Sequence, residues 1–364
     1  MPMSETQVRL AAVQAALAVH ALDALIITQA QNRRYVTGFT GSAGMLVVFP
    51  DAAHLIADSR YYEQIPREAP HVTLERAGYA TLKRLGEILA ARGAVKVGLE
   101  GQVVTLSQLQ DFREKVPGID WQATTGLVEQ QRAVKSGSEI EALSRAIALS
   151  DAAMARAFEI ARPGMTEQAL AWALELTMRE HGAEGMPFDI IVGAGENSAL
   201  PHYRAGNRVI QAGDPIVIDM GATLGGYHSD ITRTFTIGPA TDPDYDRVYA
   251  IVDEANRAAI AGLRVGLTGT EADALGRKVI EAAGFGEQFG HSLGHGVGLE
   301  IHEGPRLSQQ AGPSPLAAGM VFTVEPGIYL PGRFGVRIED MVVLRDSGAQ
   351  VLTHAPKPVT LEPA

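Results

Sequence analysis

Two stretches of this sequence recur, in the same order, roughly a hundred residues downstream. Pro163-Gly164-Met165-Thr166-Glu167-Gln168-Ala169-Leu170 returns as Val265-Gly266-Leu267-Thr268 and then, after two extra residues, Glu271-Ala272-Asp273-Ala274-Leu275. Ala212-Gly213-Asp214-Pro215-Ile216-Val217-Ile218-Asp219 returns as Ala318-Gly319-Met320-Val321-Phe322-Thr323-Val324-Glu325. Such a repeat is too long for a solenoid unit. It predicts one α+β domain built from two related halves that face each other.

The first third has a different rhythm. Helical spacing over 5–20, 81–92 and 106–115 alternates with short apolar runs at 24–28, 45–49, 54–57 and 95–99, which argues for an α/β domain with a helix-covered sheet. Residues 118–126 hold two glycines and no sustained period, so a boundary is expected near 120–137. Ser136 and Glu139 have capping-box spacing and should start a helix running to about 161. The expected domains are 1–130 and 131–364, and Pro356–Ala364 reads as a loose tail. With 364 residues and 46% hydrophobic composition, the chain can bury two cores. Its net charge of −11 disfavours nucleic acid and anionic membranes as partners. There is no cysteine, which excludes disulfides, thiolate nucleophiles and Cys-based metal sites. No apolar run reaches the roughly 18 residues of a spanning helix, and the N-terminus lacks a signal-peptide pattern. The expected compartment is the cytoplasm.

Each half of the repeat ends in a hairpin carrying carboxylates. In the first, strands 216–220 and 227–237 flank Leu224-Gly225-Gly226, and a register centred on that turn sets Asp219 opposite Asp230. In the second, strands 320–325 and 336–344 flank Pro331-Gly332, which sets Glu325 opposite Glu339. Like charges facing each other in an apolar sheet are destabilising unless a cation lies between them. Four carboxylates suit hard or borderline divalent metals such as Mn²⁺ or Co²⁺, and two ions better than one. Three of the ten histidines fall in one stretch, His291, His295 and His302, and His202 stands at the analogous place of the first half. A neutral imidazole is a common ligand for these metals. Gly193-Ala194-Gly195 is not a dinucleotide loop, there is no Walker A sequence, and Thr40–Gly44 is not a nucleophile elbow.

With these residues the chain resembles the Xaa-Pro peptidases, aminopeptidase P and prolidase, the pita-bread metallopeptidases. The stretch from His291 to Glu303 carries their signature; His202-Tyr203, Pro326–Tyr329, Gly335–Asp340 and Arg34–Gly44 are further family elements. The resemblance implies an α/β N-terminal domain followed by an α+β pita-bread catalytic domain with internal pseudo-two-fold duplication. It implies that Asp219, Asp230, His295, Glu325 and Glu339 are metal ligands for two divalent ions, Mn²⁺ first, with Co²⁺ or Zn²⁺ as alternatives. Glu325 would also shuttle the proton towards the leaving nitrogen. His202 and His302 would donate to substrate carbonyls and to the tetrahedral intermediate, and His291 would line the proline pocket. Arg337 would orient Asp219, bind a substrate carboxylate or be purely structural.

The resemblance implies release of the first residue from peptides with proline at position two, by a homodimer whose N-terminal domain closes the site. The run Gly38-Phe39-Thr40-Gly41-Ser42-Ala43-Gly44 resembles aminopeptidase P more than prolidase. The alternative is an Xaa-Pro dipeptidase, which needs a cation for the dipeptide carboxylate, from Arg337, Arg33 or Arg60. An alternative of another class is a non-catalytic binding scaffold, which would typically have lost ligand residues; all five are present.

Overall fold

A computed structural model describes residues 3–362. The chain divides into two compact units, Met1–Arg132 and Ala133–Ala364. In the first, strands β1 (Ala24–Ile27), β2 (Met45–Val48), β3 (Ala53–Ala57), β4 (Thr73–Arg76), β5 (Lys96–Glu100) and β6 (Asp120–Thr124) form one sheet in the order β4-β3-β2-β1-β5-β6. The expected helices appear as Glu5–Val19, Thr81–Ala91 and Leu106–Lys115. Ile26, Val47, Ile56, Leu85, Leu89, Val97 and Phe112 form a core between the sheet and its helices. The helix Ala30–Thr37 is not evident from sequence periodicity; it ends at Gly38, whose φ of +82° suits glycine. One expectation fails here. Residues 120–124 are not part of a linker but the edge strand β6, paired in parallel with β5. Their sequence, Asp-Trp-Gln-Ala-Thr, is half exposed, so no apolar alternation marks it.

In the second unit, Ser136 caps the helix Gly137–Ile160 through the expected box with Glu139. The strands are β7 (Ile191–Ala194), β8 (Ile216–Met220), β9 (Thr223–Leu224), β10 (Tyr227–His228), β11 (Ile231–Ile237), β12 (Gly294–Gly296), β13 (Glu303–Leu307), β14 (Val321–Val324), β15 (Gly327–Leu330), β16 (Phe334–Arg337), β17 (Asp340–Arg345), β18 (Gly348–Val351) and β19 (Thr360–Leu361). They build a four-stranded sheet, β19-β11-β8-β7, and a five-stranded sheet, β13-β12-β14-β17-β18. The ribbons β9–β10 and β15–β16 extend the two hairpins.

The duplication is visible bond by bond. Gly164 donates to Ile210 and Ile210 to Met165; in the second half Gly266 donates to Leu316 and Leu316 to Leu267. Thr166 and Thr268 each cap the next helix, Glu167–Glu180 and Gly269–Ala282. Each half has its own core, around Leu170, Leu174, Ile218 and Phe235 in one and Val252, Ala259, Phe322 and Val342 in the other. The sheets are joined where Glu339 donates its N–H to the Thr232 carbonyl at 3.1 Å.

The second hairpin has the expected register, with Val324 opposite Asp340 and Gly327 opposite Arg337 on either side of Glu325 and Glu339. The first does not. Its turn is the two-residue Gly225-Gly226, both with positive φ, so Leu224 pairs with Tyr227 and Asp219 faces Thr232 rather than Asp230. Asp230 is the diagonal neighbour of Asp219. The shift is by two positions along the partner strand, which preserves the face, so both carboxylates still converge. The tail is not loose: β19 pairs in parallel with β11, although Pro363 and Ala364 lie outside the described residues. No helix among the described residues is long and apolar enough to cross a membrane.

Candidate metal centre and active site

All nine site residues named from the sequence line one cavity of about 480 Å³ in the second unit: His202, Asp219, Asp230, His291, His295, His302, Glu325, Arg337 and Glu339. Each is placed by a local rule. Asp219 is near the end of β8 and Asp230 immediately precedes β11, so the turn sets both. Glu325 and Glu339 occupy the break between β14–β17 and β15–β16, where Pro326 supplies no N–H for a continued ladder. His295 is the middle residue of β12 and its backbone N–H donates to Thr323 Oγ1 at 3.1 Å.

The inner cluster crowds carboxyl groups and an imidazole into a buried space. Asp230 and Glu339 are 4% and 2% exposed. Burial, then the charges of Glu339, Asp219 and Glu325, push the Asp230 carboxyl well above the ordinary range. Burial and the neighbouring Glu325 and Asp219 do the same to Glu339. Burial raises Glu325 to about 8, against the pull of Arg337. His295 is neutral, lowered to about 4 by burial and by His302. Its Nδ1 donates to the Gly296 carbonyl at 3.2 Å, which leaves the Nε2 lone pair facing Glu325 Oε1 at 3.4 Å and Asp230 Oδ2 at 3.6 Å. Once these carboxyls ionise, lone pair faces lone pair and the contact is repulsive. Asp219 Oδ1 and Asp230 Oδ1 are buried without hydrogen-bond partners. Ligand atoms of Asp230, His295 and Glu339 lie within 4.8 Å of one another. A divalent cation is the group that turns each of these unfavourable contacts favourable, so the residues present fit a metal.

Around the cluster, Arg337 is 3% exposed and fully engaged. It donates to Asp219 Oδ2 at 2.6 Å, to the Tyr329 hydroxyl at 2.7 Å and to Thr232 Oγ1 at 3.1 Å. Thr232 in turn donates to Glu339 Oε2 at 2.7 Å. A relay follows from Arg337. Tyr329 accepts from Arg337 and donates to His291 Nε2 at 2.9 Å, while His291 Nδ1 donates to the Ser292 carbonyl at 2.8 Å. Both ring nitrogens of His291 are thus used, and burial holds its pKa down at about 3, so it serves as a neutral wall. His202 and His302 are exposed to the cavity, and the His302 ring packs edge-on against His295 at 4.2 Å.

Sequence reasoning missed Arg306. It lines the cavity, is exposed, and has no hydrogen-bond or ion-pair partner among the described residues. Its charge, after burial, helps to depress the pKa of His302. The other lining arginines are occupied: Arg337 as above, and Arg204 by Asp189. Arg33 and Arg60, the other cations considered for a carboxylate, belong to the first unit, where Arg33 is buried against the carbonyls of Thr28, Gly41 and Gly44 and Arg60 is paired with Asp58. The signal available for Arg306 was its position four residues beyond His302 on the same segment.

The description "Metallopeptidase family M24" matches residues 141–346, and "Creatinase/Prolidase N-terminal domain" matches residues 9–134. The peptidase YqhT of Bacillus subtilis strain 168 is 39% identical over 92% of this chain and 95% of its own. A solved Xaa-Pro dipeptidase from Bacillus anthracis superposes with a TM-score of 0.95 at 39% identity, covering 98% of this chain and 100% of that one. An X-Pro aminopeptidase from Thermotoga maritima MSB8 superposes with a TM-score of 0.87 at 40% identity, covering 93% and 98%. The chain belongs to metallopeptidase family M24, in its Xaa-Pro peptidase branch with the pita-bread fold.

Proposed function

We propose that the protein is an Xaa-Pro dipeptidase whose divalent cations are held by Asp219, Asp230, His295, Glu325 and Glu339. Arg306 carries the choice of a dipeptide: it is the cavity's one lining arginine without a partner among the described residues, and a dipeptide presents a free carboxylate for it to receive. The name of the Bacillus anthracis structure supports the same reading. Four carboxylates and one imidazole suit Mn²⁺ first and Co²⁺ or Zn²⁺ next, and their charge suits two ions. Bound there, such ions supply Lewis-acid polarisation and a water of lowered pKa. Glu325 accepts a proton at its carboxylate and passes it to the proline nitrogen as that bond breaks. His202 and His302 donate to the scissile carbonyl as charge develops on its oxygen. Arg337 holds Asp219 in place, and His291 with Tyr329 walls the proline side.

Aminopeptidase P, the activity expected from the sequence, becomes the second reading. One observation favours it: a groove of about 600 Å³ shares Phe188, Asp189 and Arg204 with the cavity and offers room for a longer peptide. Hydrolysis of Ala-Pro, Ala-Pro-amide and Ala-Pro-Ala with Mn²⁺ separates the two. The dipeptidase reading expects the highest kcat/KM on Ala-Pro, abolished by chelator. Faster release of alanine from Ala-Pro-Ala would replace it with the aminopeptidase reading.

A further inference from the structure

The C-terminal segment leading into β19 carries a chain of polar contacts that ends at the backbone of two cavity glutamates. Asn256, wholly buried on the helix Tyr245–Gly262, donates its amide to the Val324 carbonyl at 2.9 Å and reaches the Ile338 carbonyl at 3.5 Å. These are the carbonyls immediately before Glu325 and Glu339. Arg233 donates to the carbonyls of Glu339 at 2.5 Å and Thr232 at 2.9 Å. Both polar side chains are oriented from the C-terminal segment. Lys357 Nζ donates to Asn256 Oδ1 at 2.8 Å and lies 2.5 Å from Asp340 Oδ2 as an ion pair. Arg233 donates to the carbonyls of Ala355 at 2.8 Å and Pro356 at 3.1 Å, and to Asp340 Oδ1 at 2.9 Å. Thr353 donates to the same Asp340 oxygen at 2.8 Å.

The chemistry of Asn256 makes Lys357 more than a fastening. An amide can turn over and exchange its donor for its acceptor. An ammonium only donates, so Lys357 selects the orientation in which Oδ1 faces it and Nδ2 faces the two carbonyls. Turned over, Oδ1 would oppose those carbonyls, and the backbone before both glutamates would shift. Supporting contacts of this kind set the geometry that a metal meets.

We propose that Lys357 is a positioning residue for Glu325 and Glu339, acting through Asn256 and Asp340. The proposal rests on the reading of those two glutamates as metal ligands. The test is Mn²⁺ titration, by calorimetry, of chelator-treated wild type, K357M and K357R, with the melting temperature of each metal-free protein measured alongside. K357M is expected to bind Mn²⁺ about 10- to 100-fold more weakly. K357R is expected to restore most of that loss. The metal-free K357M is expected to melt lower than wild type, because Asp340 Oδ2 and Asn256 Oδ1 lose their partner, so the Mn²⁺ affinity and its rescue in K357R decide the matter. Equal affinity in K357M and wild type overturns the inference. A lower metal-free melting temperature with unchanged affinity also overturns it, because Lys357 would then be merely structural. Should K357M fail to fold, K357Q carries the same test, with weaker binding again expected and unchanged affinity again overturning it. A wild type that takes up no Mn²⁺ overturns the ligand reading itself, so the two failures are distinguishable.

Discussion

Replacing Arg337 by methionine keeps the buried stem and removes the one cation among the described residues that touches Asp219. Three hydrogen bonds go with it, to Asp219, Tyr329 and Thr232. Asp219 already has one buried oxygen without a partner, so the variant leaves a carboxylate in the cluster with neither oxygen paired. Removing one member of a buried ion pair costs about 3–5 kcal/mol. For a unit of 150–250 residues that lowers the melting temperature by roughly 6 to 20 °C in chelator-treated protein. Mn²⁺ should then narrow the gap between R337M and wild type, since bound cations replace the missing positive charge beside Asp219. Thermal melts with chelator and with excess Mn²⁺ measure both effects. A metal-free R337M that melts with wild type would refute the electrostatic account of Arg337. A gap that Mn²⁺ leaves unchanged would refute the placement of cations beside Asp219.

Other expectations follow from single contacts. R306M should lower kcat/KM on Ala-Pro by about 10- to 150-fold, the equivalent of one charge-assisted hydrogen bond, and leave Ala-Pro-amide nearly untouched; equal losses on both substrates would remove Arg306 from carboxylate binding. H302A should reduce kcat by about 10²-fold with metal content unchanged, as measured by elemental analysis; loss of metal would make His302 a ligand instead. In the first unit, the Glu75 carboxyl is held below its ordinary value because hydrogen bonds from Arg84 and His54 outweigh its burial. A depressed folded pKa means that this stabilisation is present above the unfolded value and lost as pH falls through the folded one. E75Q should therefore flatten the decline of stability between about pH 5 and 3, measured as denaturation midpoints across that range; an unchanged pH profile would show that Glu75 is not its source.

Much of the catalytic unit was legible because duplication and metal ligation both leave local marks. The repeat put related turns, helix caps and strands in one order, and the hairpin containing Glu325 and Glu339 could be registered from Gly332 alone. The first hairpin was misread because Leu224-Gly225-Gly226 admits a turn centred on either of two positions. Parity of the β-strand rescued the conclusion, since a two-residue slip keeps Asp230 on the same face. Arg306 carried only the weak signal of its nearness to His302, because an exposed arginine looks like any solvated charge until a cavity forms around it. Lys357, Asn256 and Asp340 were illegible for another reason: their contacts join residues far apart in sequence, and the tail that supplies Lys357 has three prolines and little apolar periodicity. The edge strand β6 was lost to the same cause, its pairing being tertiary rather than local.

Metal content and peptide cleavage measured on the same samples test the metal centre most directly. Wild type, D230A and E339A would each be loaded with Mn²⁺, freed of excess ion, analysed for bound metal and assayed on Ala-Pro. Wild type should retain Mn²⁺ and cleave the dipeptide, and both variants should lose metal and activity together. Full activity in either variant, or cleavage by wild type that survives complete removal of metal, would contradict the assignment of this cluster as the catalytic metal centre.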